Sequence, residues 1–335
     1  MKADPYANPL SLRELDALLG ASAGPALAKA GLDRPPAGLM PDQARAVLAA
    51  AGHSYAPRVV AFSNLKGGVG KTTSAVHVAA RAAQYGHRVC LLDLDSQASA
   101  SLAFDALAGD DDPIFYDVWQ KPAEQLPGAL RELAPNLNLL PSALENGLLE
   151  TALANPTAQK RAVAGVAKAL QTLGFDLIVC DCPPSLGTAV ISAVCAADLI
   201  VIPLGDDAFS FKGLELTLAE IKEIRATFGL AEPAIRLVLT RVDARLKLSG
   251  QAWRRLSAEH PGRLAPSPIR TSSQFAQALE RRATVFAWGR QTPARRDYDA
   301  LTQYLLGLDR LKRRSRPAKE AGHARQEDPA HPARA

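Results

Sequence analysis

The segment Lys66–Thr73 (K-G-G-V-G-K-T-T) constrains the fold of this 335-residue chain more than any other feature. An apolar run, Val59–Phe62, precedes it, and a helical pattern of apolar residues begins at Ala75. Strand, glycine loop and helix form the context of a phosphate-binding loop. Glycines let backbone N–H groups turn inward around phosphate oxygens, and the helix N-terminus adds partial positive charge. The segment therefore predicts an α/β fold that binds a nucleotide.

Two lysines flank the glycines of this loop. Lys71 is expected to neutralise charge on the β- and γ-phosphates, and the Thr72 hydroxyl to ligate Mg²⁺. Leu65 stands where the standard loop has its first glycine, and the second lysine, Lys66, follows it. A second cation beside a triphosphate has a role only if it contacts phosphate, in its own subunit or in a partner.

Carboxylates follow two of the apolar runs that predict buried parallel strands. Asp181 ends one run, where a carboxylate can hold Mg²⁺ through water. Asp93 and Asp95 end another run, two residues apart, so in an extended strand their side chains face the same side. In such a pair, one carboxylate could bind a water molecule of the Mg²⁺ shell, and the other could position the attacking water. The alternative is that one of the two caps the following helix.

These segments together resemble the ParA/MinD class of P-loop ATPases, whose variant loop is called the deviant Walker A motif. Leu91–Ser99 looks like the second motif of that class, with Ser96 in place of its usual proline. Phe175–Gly187 looks like its Walker B segment, and Leu199–Leu204 like the strand that comes next. The motifs also match the class in their order and spacing, and together they cover about residues 58 to 305.

The resemblance implies a doubly wound, mostly parallel sheet, ATP and Mg²⁺ as cofactors, and ATP hydrolysis. Lys66 is expected to reach the ATP of the partner in a nucleotide-sandwich homodimer. Loss of Asp95 is expected to stall hydrolysis after dimerisation, and Asp93 to support the Mg²⁺ shell. The implied catalytic residues are Lys66, Asp95 and Asp93, and the implied metal residues are Thr72, Asp93 and Asp181. The implied nucleotide-binding residues are Lys66, Gly67, Gly68, Val69, Gly70, Lys71, Thr72 and Thr73, with Thr240 and Asp243 near the adenine.

Positive charge is concentrated in the last third of the chain. The net charge is +5, yet Arg236 to Arg316 holds 18 Lys/Arg against 6 Asp/Glu, which predicts a surface for polyanions. In the ParA family, basic residues of this part bind double-stranded DNA without sequence preference. The candidates are Arg241, Arg245, Lys247, Arg254, Arg255, Arg270, Arg281, Arg282, Arg290, Arg295 and Arg296. The alternative is a solvated face whose long side chains cover apolar surface.

Residues 1 to 57 precede the predicted ATPase domain (58–314). Helical spacing predicts a helix over Leu12–Leu19 after Ser11 and another over Pro41–Ala50. This extension resembles the helix-turn-helix of larger plasmid-type partition ATPases, although its candidate recognition segment offers only Lys29. Sequence-specific DNA binding and dimerisation or docking both stay open. The last helix is predicted from Tyr298 to about residue 314, and residues 315–335 as a flexible tail.

These features predict a cytoplasmic, nucleoid-associated switch ATPase that partitions plasmid or chromosomal DNA with a ParB-like partner protein, which stimulates hydrolysis. One alternative is the same ATPase with a protein cargo. Another is a MinD-like membrane switch, for which the last helix would insert in lipid. We expect no signal peptide and no membrane-spanning segment. The four cysteines show no metal-ligand spacing and are expected to be reduced thiols in the core.

Overall fold

The computed structural model describes residues 9–33, 38–243, 245–288 and 291–314. The predicted tail (315–335) and one DNA-binding candidate, Arg290, lie outside the described residues.

A seven-stranded sheet forms the centre of the fold, in the order β3-β4-β2-β5-β1-β6-β7. The strands are β1 (Arg58–Phe62), β2 (Val89–Asp93), β3 (Arg131–Ala134), β4 (Leu137–Leu140), β5 (Leu177–Asp181), β6 (Leu199–Leu204) and β7 (Ala234–Leu239). All neighbours are parallel except β3 and β4, which are antiparallel. The predicted doubly wound, mostly parallel sheet is confirmed. The sequence did not indicate β3, an edge strand that is only partly buried.

Helices cover both faces of the sheet. They are α1 (Leu12–Leu19), α2 (Gly24–Lys29), α3 (Pro41–Ala50), α4 (Lys71–Gln84), α5 (Ser99–Ala103), α6 (Phe115–Val118), α7 (Pro122–Ala129), α8 (Leu149–Ala152), α9 (Pro156–Thr172), α10 (Thr188–Ala196), α11 (Ala208–Thr227), α12 (Lys247–Glu259), α13 (Ser273–Glu280), α14 (Pro293–Leu306) and α15 (Leu311–Arg314). Helices α1, α3, α4 and α14 share one apolar core, and α9 to α12 share the other. The chain is thus a three-layer α/β structure.

The register of the central strands brings the motifs together. Strand β5 lies between β1 and β2, so that Asp181 is opposite both Phe62 and Asp93. The phosphate-binding loop leaves the carboxyl end of β1 beside these aspartates. In open parallel sheets this edge is where ligands bind.

The N-terminal segment packs on the ATPase domain. Leu15, Leu18 and Leu48 are buried in the same core as residues of helix α4. The predicted helices occur as α1, which Ser11 caps, and as α3. Lys29 on α2 donates to the carbonyl oxygen of Ala50 at 3.1 Å. The single cation of the candidate recognition segment therefore caps α3 in this structure.

The predicted last helix is wrong in its extent. Helix α14 ends at Leu306 because Gly307 adopts a left-handed conformation (φ 71°), and α15 begins after a short 3₁₀ turn. The apolar residues Leu301, Leu305 and Leu311 are buried in the core. That apolar face is therefore covered by the protein and is not exposed for a lipid surface.

Candidate nucleotide site

A cavity of about 450 Å³ opens at the carboxyl edge of the sheet. The glycine loop and the start of α4 form one wall, Asp95 and Ser99 another, and Ile269–Ser272 with Phe275 a third. This volume is in the range of small-molecule sites, which enclose a ligand and fix it with a few polar groups.

The phosphate-binding loop is shaped by two glycines with positive φ, Gly68 (72°) and Gly70 (86°). Lys71 is 7% exposed, and its ammonium donates to the carbonyl oxygen of Lys66 at 3.0 Å. Desolvation lowers the pKa of Lys71. The charge of the nearby Asp181 carboxylate acts in the opposite direction but is the smaller effect. A buried cation bonded to a neutral carbonyl is well placed to exchange that bond for phosphate oxygens.

Lys66 lies on the other side of the same loop. Its ammonium donates to both oxygens of Asp207, at 2.7 and 2.9 Å, and to the Ser210 hydroxyl at 2.9 Å. Burial raises the pKa of Asp207, but the bonds from Lys66 and Ser210 outweigh it and hold the pKa at about 2. Lys66 lines a second cavity of about 350 Å³, together with Arg241. It does not line the nucleotide cavity.

Asp181 has the chemistry of a metal-site carboxylate. It is fully buried, and neither oxygen has a well-formed hydrogen bond within the residues that the structure describes. Burial raises its pKa well above the usual value, and Asp93 adds to the rise, while the nearby Thr72 hydroxyl opposes it. A bound cation would stabilise the charged form of a carboxylate in this position. Asp181 and Thr72 therefore fit a Mg²⁺ ion held directly or through water.

Asp93 has a different environment from the one that the sequence predicted. The backbone N–H and hydroxyl of Ser101 donate to its Oδ2 at 2.8 and 2.7 Å, so the carboxylate caps helix α5. Burial raises the pKa of Asp93 to about 6, although the hydrogen bonds from Ser101 act to lower it. Strand alternation does not extend to Asp95, because β2 ends at Asp93, so the argument that placed the two side chains on the same side does not apply. Asp95 lines the cavity, and Asp93 does not.

The two residues predicted to lie near the adenine, Thr240 and Asp243, occupy different positions relative to the cavity. The Thr240 hydroxyl donates to the carbonyl oxygen of Val69 at 2.8 Å, which ties the loop to the end of β7, and Thr240 lines the cavity. Asp243 lies outside the cavity wall and accepts bonds of 2.9 and 2.6 Å from the Arg245 guanidinium. Val69 is buried behind the loop. Asp243 therefore does not line the cavity, and its place near the adenine stays a prediction.

Sequence reasoning missed the wall opposite the loop. Ile269–Ser272, Phe275 and Tyr298 line the cavity, although no motif marks them. Tyr298 stacks on His77 with ring centroids 4.7 Å apart and shares a hydrogen bond of 3.2 Å with Ser74 on helix α4. Aromatic residues within the basic part of the chain were the available signal for this wall.

The basic candidates do not form one surface. Those on α12 (Lys247, Arg254, Arg255) belong to the face of α9 to α12, and those on or beside α13 and α14 (Arg281, Arg282, Arg295, Arg296) to the opposite face. Arg295 is 2% exposed and donates to Glu14 and to the carbonyl oxygens of Phe286 and Trp288. It is a wrong candidate for DNA contact, because its guanidinium is enclosed.

Three further candidates are engaged by groups of their own subunit. Arg241, which has positive φ (57°), donates to the carbonyl oxygen of Gly68 at 3.0 Å. Arg245 is paired with Asp243, and Arg270 with Asp297. Arg241 and Arg270 line the nucleotide cavity, so their position favours a nucleotide-side role.

The described residues contain neither a membrane-spanning helix nor a metal-binding cluster of side chains. No described helix is long and apolar enough to cross a bilayer. Nor do three or more His, Cys, Asp or Glu residues meet as metal ligands within those ranges. All four cysteines are buried with free thiols.

This geometry has relatives among known proteins. A family model described as an AAA domain matches residues 57–233, just over half of the chain. The cell division protein PomZ of Myxococcus xanthus is 28% identical over 245 residues, which cover 73% of this chain and 76% of PomZ. The chromosome partitioning protein ParA of Caulobacter vibrioides is 28% identical over 222 residues, 66% of this chain and 83% of ParA.

A solved structure shares the fold. Apo McdA of Cyanothece superposes with a TM-score of 0.67 at 21% identity, and the match covers 74% of this chain and 99% of McdA. At that identity the likeness shows the architecture alone. With the matching family model and the two curated relatives, the chain belongs to the AAA-domain family and, within it, to the ParA-type partition ATPases.

Proposed function

We propose that this protein is an ATP-driven switch, in which two copies dimerise around ATP and Mg²⁺ and then bind DNA without sequence preference. A ParB-like partner stimulates hydrolysis and returns the protein to the monomer. The cargo is plasmid or chromosomal DNA, and the bound state is located on the nucleoid.

The position of Lys66 carries this proposal. Lys71 already supplies the cation for the nucleotide of its own subunit, and it lines that cavity. The ammonium of Lys66 is held on the outer side of the loop by Asp207 and Ser210, in a second cavity. Phe209, between these two residues in the chain, is 82% exposed, as expected of a surface that a second copy covers. A cation outside its own nucleotide cavity is suited to the phosphates of a partner.

The chain also supplies the groups that hydrolysis requires. Mg²⁺, when bound, neutralises charge that develops on the β- and γ-phosphates. Thr72 and Asp181 are the residues suited to hold it. Asp95, on the cavity wall, is the carboxylate suited to orient the attacking water, and Asp93 positions its loop by accepting the Asp95 N–H at 3.3 Å. Positioning and charge neutralisation provide most of the catalysis in phosphoryl transfer.

The proposal is tested by sedimentation with DNA of arbitrary sequence in ATP, ADP or no nucleotide, beside anionic liposomes. We expect wild-type protein to pellet with DNA in ATP alone, and Lys66→Ala to stay in the supernatant. Lys212→Ala is the matched control, because the ammonium of the exposed Lys212 on α11 is paired with Glu215 and not with Asp207 or Ser210. Pelleting with liposomes and not with DNA would favour the membrane switch.

A second candidate is the same switch with a protein cargo. The likeness to the cell division protein PomZ equals the likeness to ParA, at 28% identity each. Loss of the gene would then disturb the position of a protein assembly and leave plasmid and chromosome inheritance unchanged. Plasmid-loss and DNA-content measurements in a deletion strain separate the two cargoes.

A further inference from the structure

The segment that carries Asp95 leaves the sheet where β2 ends. The N–H of Leu94 still donates to the carbonyl oxygen of Asp181 at 3.0 Å, but residues 95–98 belong to neither a strand nor a helix. Ala98 has positive φ (51°), a conformation that a residue other than glycine keeps only where its surroundings hold it. Contacts from outside the segment are therefore needed to fix Asp95, the carboxylate on the wall of the nucleotide cavity.

A buried serine supplies such a contact. Ser142 comes two residues after β4, the parallel neighbour of β2, and is 1% exposed. Its hydroxyl donates to the carbonyl oxygen of Asp95 at 2.7 Å. Its backbone N–H donates at 3.1 Å to the hydroxyl of Ser101, which in turn donates to Asp93. Ser142 is thus bonded to Asp95 itself and to the hydroxyl that holds Asp93.

A buried asparagine fixes the direction of this bond. The Oδ1 of Asn146, a residue that is 4% exposed, accepts from the backbone N–H of Tyr116 at 3.0 Å, and its amide nitrogen lies 2.7 Å from the Ser142 hydroxyl. A backbone N–H can only donate, so the amide oxygen faces Tyr116 and the amide nitrogen faces Ser142. The amide nitrogen also can only donate. The Ser142 oxygen therefore accepts, and its one proton is left for the carbonyl oxygen of Asp95.

These bonds reach the cavity only through Asp95. Neither Ser142, Asn146 nor Tyr116 lines the nucleotide cavity. The Asp95 carboxylate accepts from the N–H of the exposed Gln97 at 3.0 Å, a bond within the same segment. The bond from Ser142 instead joins the Asp95 backbone to the segment that follows β4. Buried polar groups that are all bonded to one another hold a local structure rigid.

We propose that Ser142 and Asn146 are positioning residues for ATP hydrolysis, which hold the Asp95 backbone so that its carboxylate faces the attacking water. The inference rests on the proposed function, in which Asp95 orients that water. A displacement of about 1 Å between reacting groups can lower a rate by about a hundredfold. Loss of the bonds to Ser142 leaves the carboxylate in the protein but frees the backbone that aims it.

The test is steady-state phosphate release by the full-length protein with Mg²⁺ and duplex DNA, across a range of ATP concentrations. Ser142→Ala removes the hydroxyl, and Ser192→Ala is the matched control. Ser192 is a fully buried serine on α10 whose hydroxyl accepts from the N–H of Val163 at 2.8 Å, on helix α9 and not on the Asp95 segment. Equilibrium binding of a fluorescent ATP analogue and thermal unfolding are measured for each variant.

We expect Ser142→Ala to lower kcat by at least about tenfold, because the carboxylate is no longer held in place. The KM for ATP and the affinity for the analogue should stay within about threefold of the wild type, because no group on the cavity wall is lost. Ser192→Ala should match the wild type in kcat and KM. A raised KM at unchanged kcat would overturn the inference, because it reports ATP binding. Equal losses of kcat in the two variants would also overturn it, because they report a general loss of stability.

A second variant covers the case in which Ser142→Ala does not fold. Asn146→Leu removes the amide that directs the Ser142 proton and leaves the hydroxyl in place. We expect kcat to fall by about three- to tenfold, less than in Ser142→Ala, at unchanged KM. A folded Asn146→Leu protein with the kcat of the wild type would overturn the inference.

The same measurements separate this inference from the proposed function. If the wild type releases no phosphate from ATP, the proposed function fails, and the inference with it. If the wild type hydrolyses ATP and Ser142→Ala does so at the same kcat, the inference fails and the proposed function stands.

Discussion

Strand β5 has a buried aspartate at each end, Asp176 directly before its first residue and Asp181 as its last, and the two carboxylates have opposite environments. At the amino end, Asp176 is bonded to Arg45 and to His87, both at 2.6 Å. Burial raises the pKa of Asp176, but these partners outweigh it and lower the pKa. At the carboxyl end, Asp181 has no well-formed hydrogen bond within the described residues, and burial raises its pKa. The amino edge of the sheet thus holds the N-terminal segment in place, whereas the carboxyl edge has a carboxyl group that a bound cation would stabilise in its charged form.

The comparison shows how buried charge separates structure from function in one fold. A buried carboxylate with charged partners stabilises the folded state relative to losing one of them. A buried carboxylate without partners costs free energy until a cation arrives, and such groups mark functional sites. Residues of the same type at the two ends of one strand are therefore expected to respond in opposite directions when their charge is removed.

The largest expected effect is at the amino end. Asp176→Ala removes the partner of Arg45 on α3 and of His87, which follows α4. We expect the free energy of unfolding to fall by about 3 kcal/mol, because a broken buried pair leaves a charge without compensation. Urea denaturation measures it, with the exposed acid Glu223→Ala as control. An unchanged midpoint would show that the N-terminal segment is not held by this pair.

The opposite change is expected at the carboxyl end. Asp181→Asn removes the desolvation cost of an unpaired carboxylate, so the nucleotide-free protein should gain about 1 to 2 kcal/mol. ATP hydrolysis should be lost in the same variant, because the group suited to hold Mg²⁺ is gone. Urea denaturation without nucleotide and phosphate release with ATP measure the two effects. A loss of stability together with full activity would reverse the assignment of the two edges.

A smaller effect is expected from acid at the amino end. Burial and then the neighbouring His87 lower the pKa of His53 to about 3, and the two rings share a hydrogen bond of 3.0 Å. Because the folded-state pKa lies below the unfolded value of 6.5, this contribution to stability is complete above pH 6.5 and is lost as pH falls toward 3. We expect His53 to account for about 1 kcal/mol of lost stability between pH 7 and pH 5, after solvent screening.

The variant His53→Gln tests this pH effect. Glutamine does not titrate, so the free energy of unfolding should change less between pH 7 and pH 5 than in the wild type. Denaturation at the two pH values measures the difference. Parallel curves for the two proteins would show that His53 is already solvated in the folded state.

The smallest effect is expected at the surface of the N-terminal segment, between α2 and α3. Lys29→Ala removes a single bond from an exposed ammonium to the carbonyl oxygen of Ala50. Surface bonds of this kind contribute little, so the free energy of unfolding, again measured in urea, should change by less than about 0.5 kcal/mol. A loss comparable to that of Asp176→Ala would mean that burial does not govern how much these contacts stabilise the fold.

The sequence predicts the fold well, and it predicts that the glycine loop and Asp181 lie at one edge of the sheet, because these depend on local patterns. The glycine loop requires a strand before it and a helix after it, and Asp181 ends an apolar run that forms a buried strand. The opposite wall could not be predicted, because Phe275 and Tyr298 reach the cavity through tertiary packing of α13 and α14. Arg295 illustrates the same limit. Its sequence context predicts an exposed cation, and tertiary contacts with Glu14 of α1 and with the carbonyl oxygens of Phe286 and Trp288 enclose it.

Sedimentation velocity of the protein in ATP and Mg²⁺ tests the central claim most directly. A switch that joins two copies through Lys66 predicts that the wild type doubles its mass in ATP and not in ADP, and that Lys66→Ala stays a monomer in both. Lys212→Ala should behave as the wild type. A wild type with the same mass in ATP and ADP, or a Lys66→Ala variant that still doubles in ATP, would contradict the account.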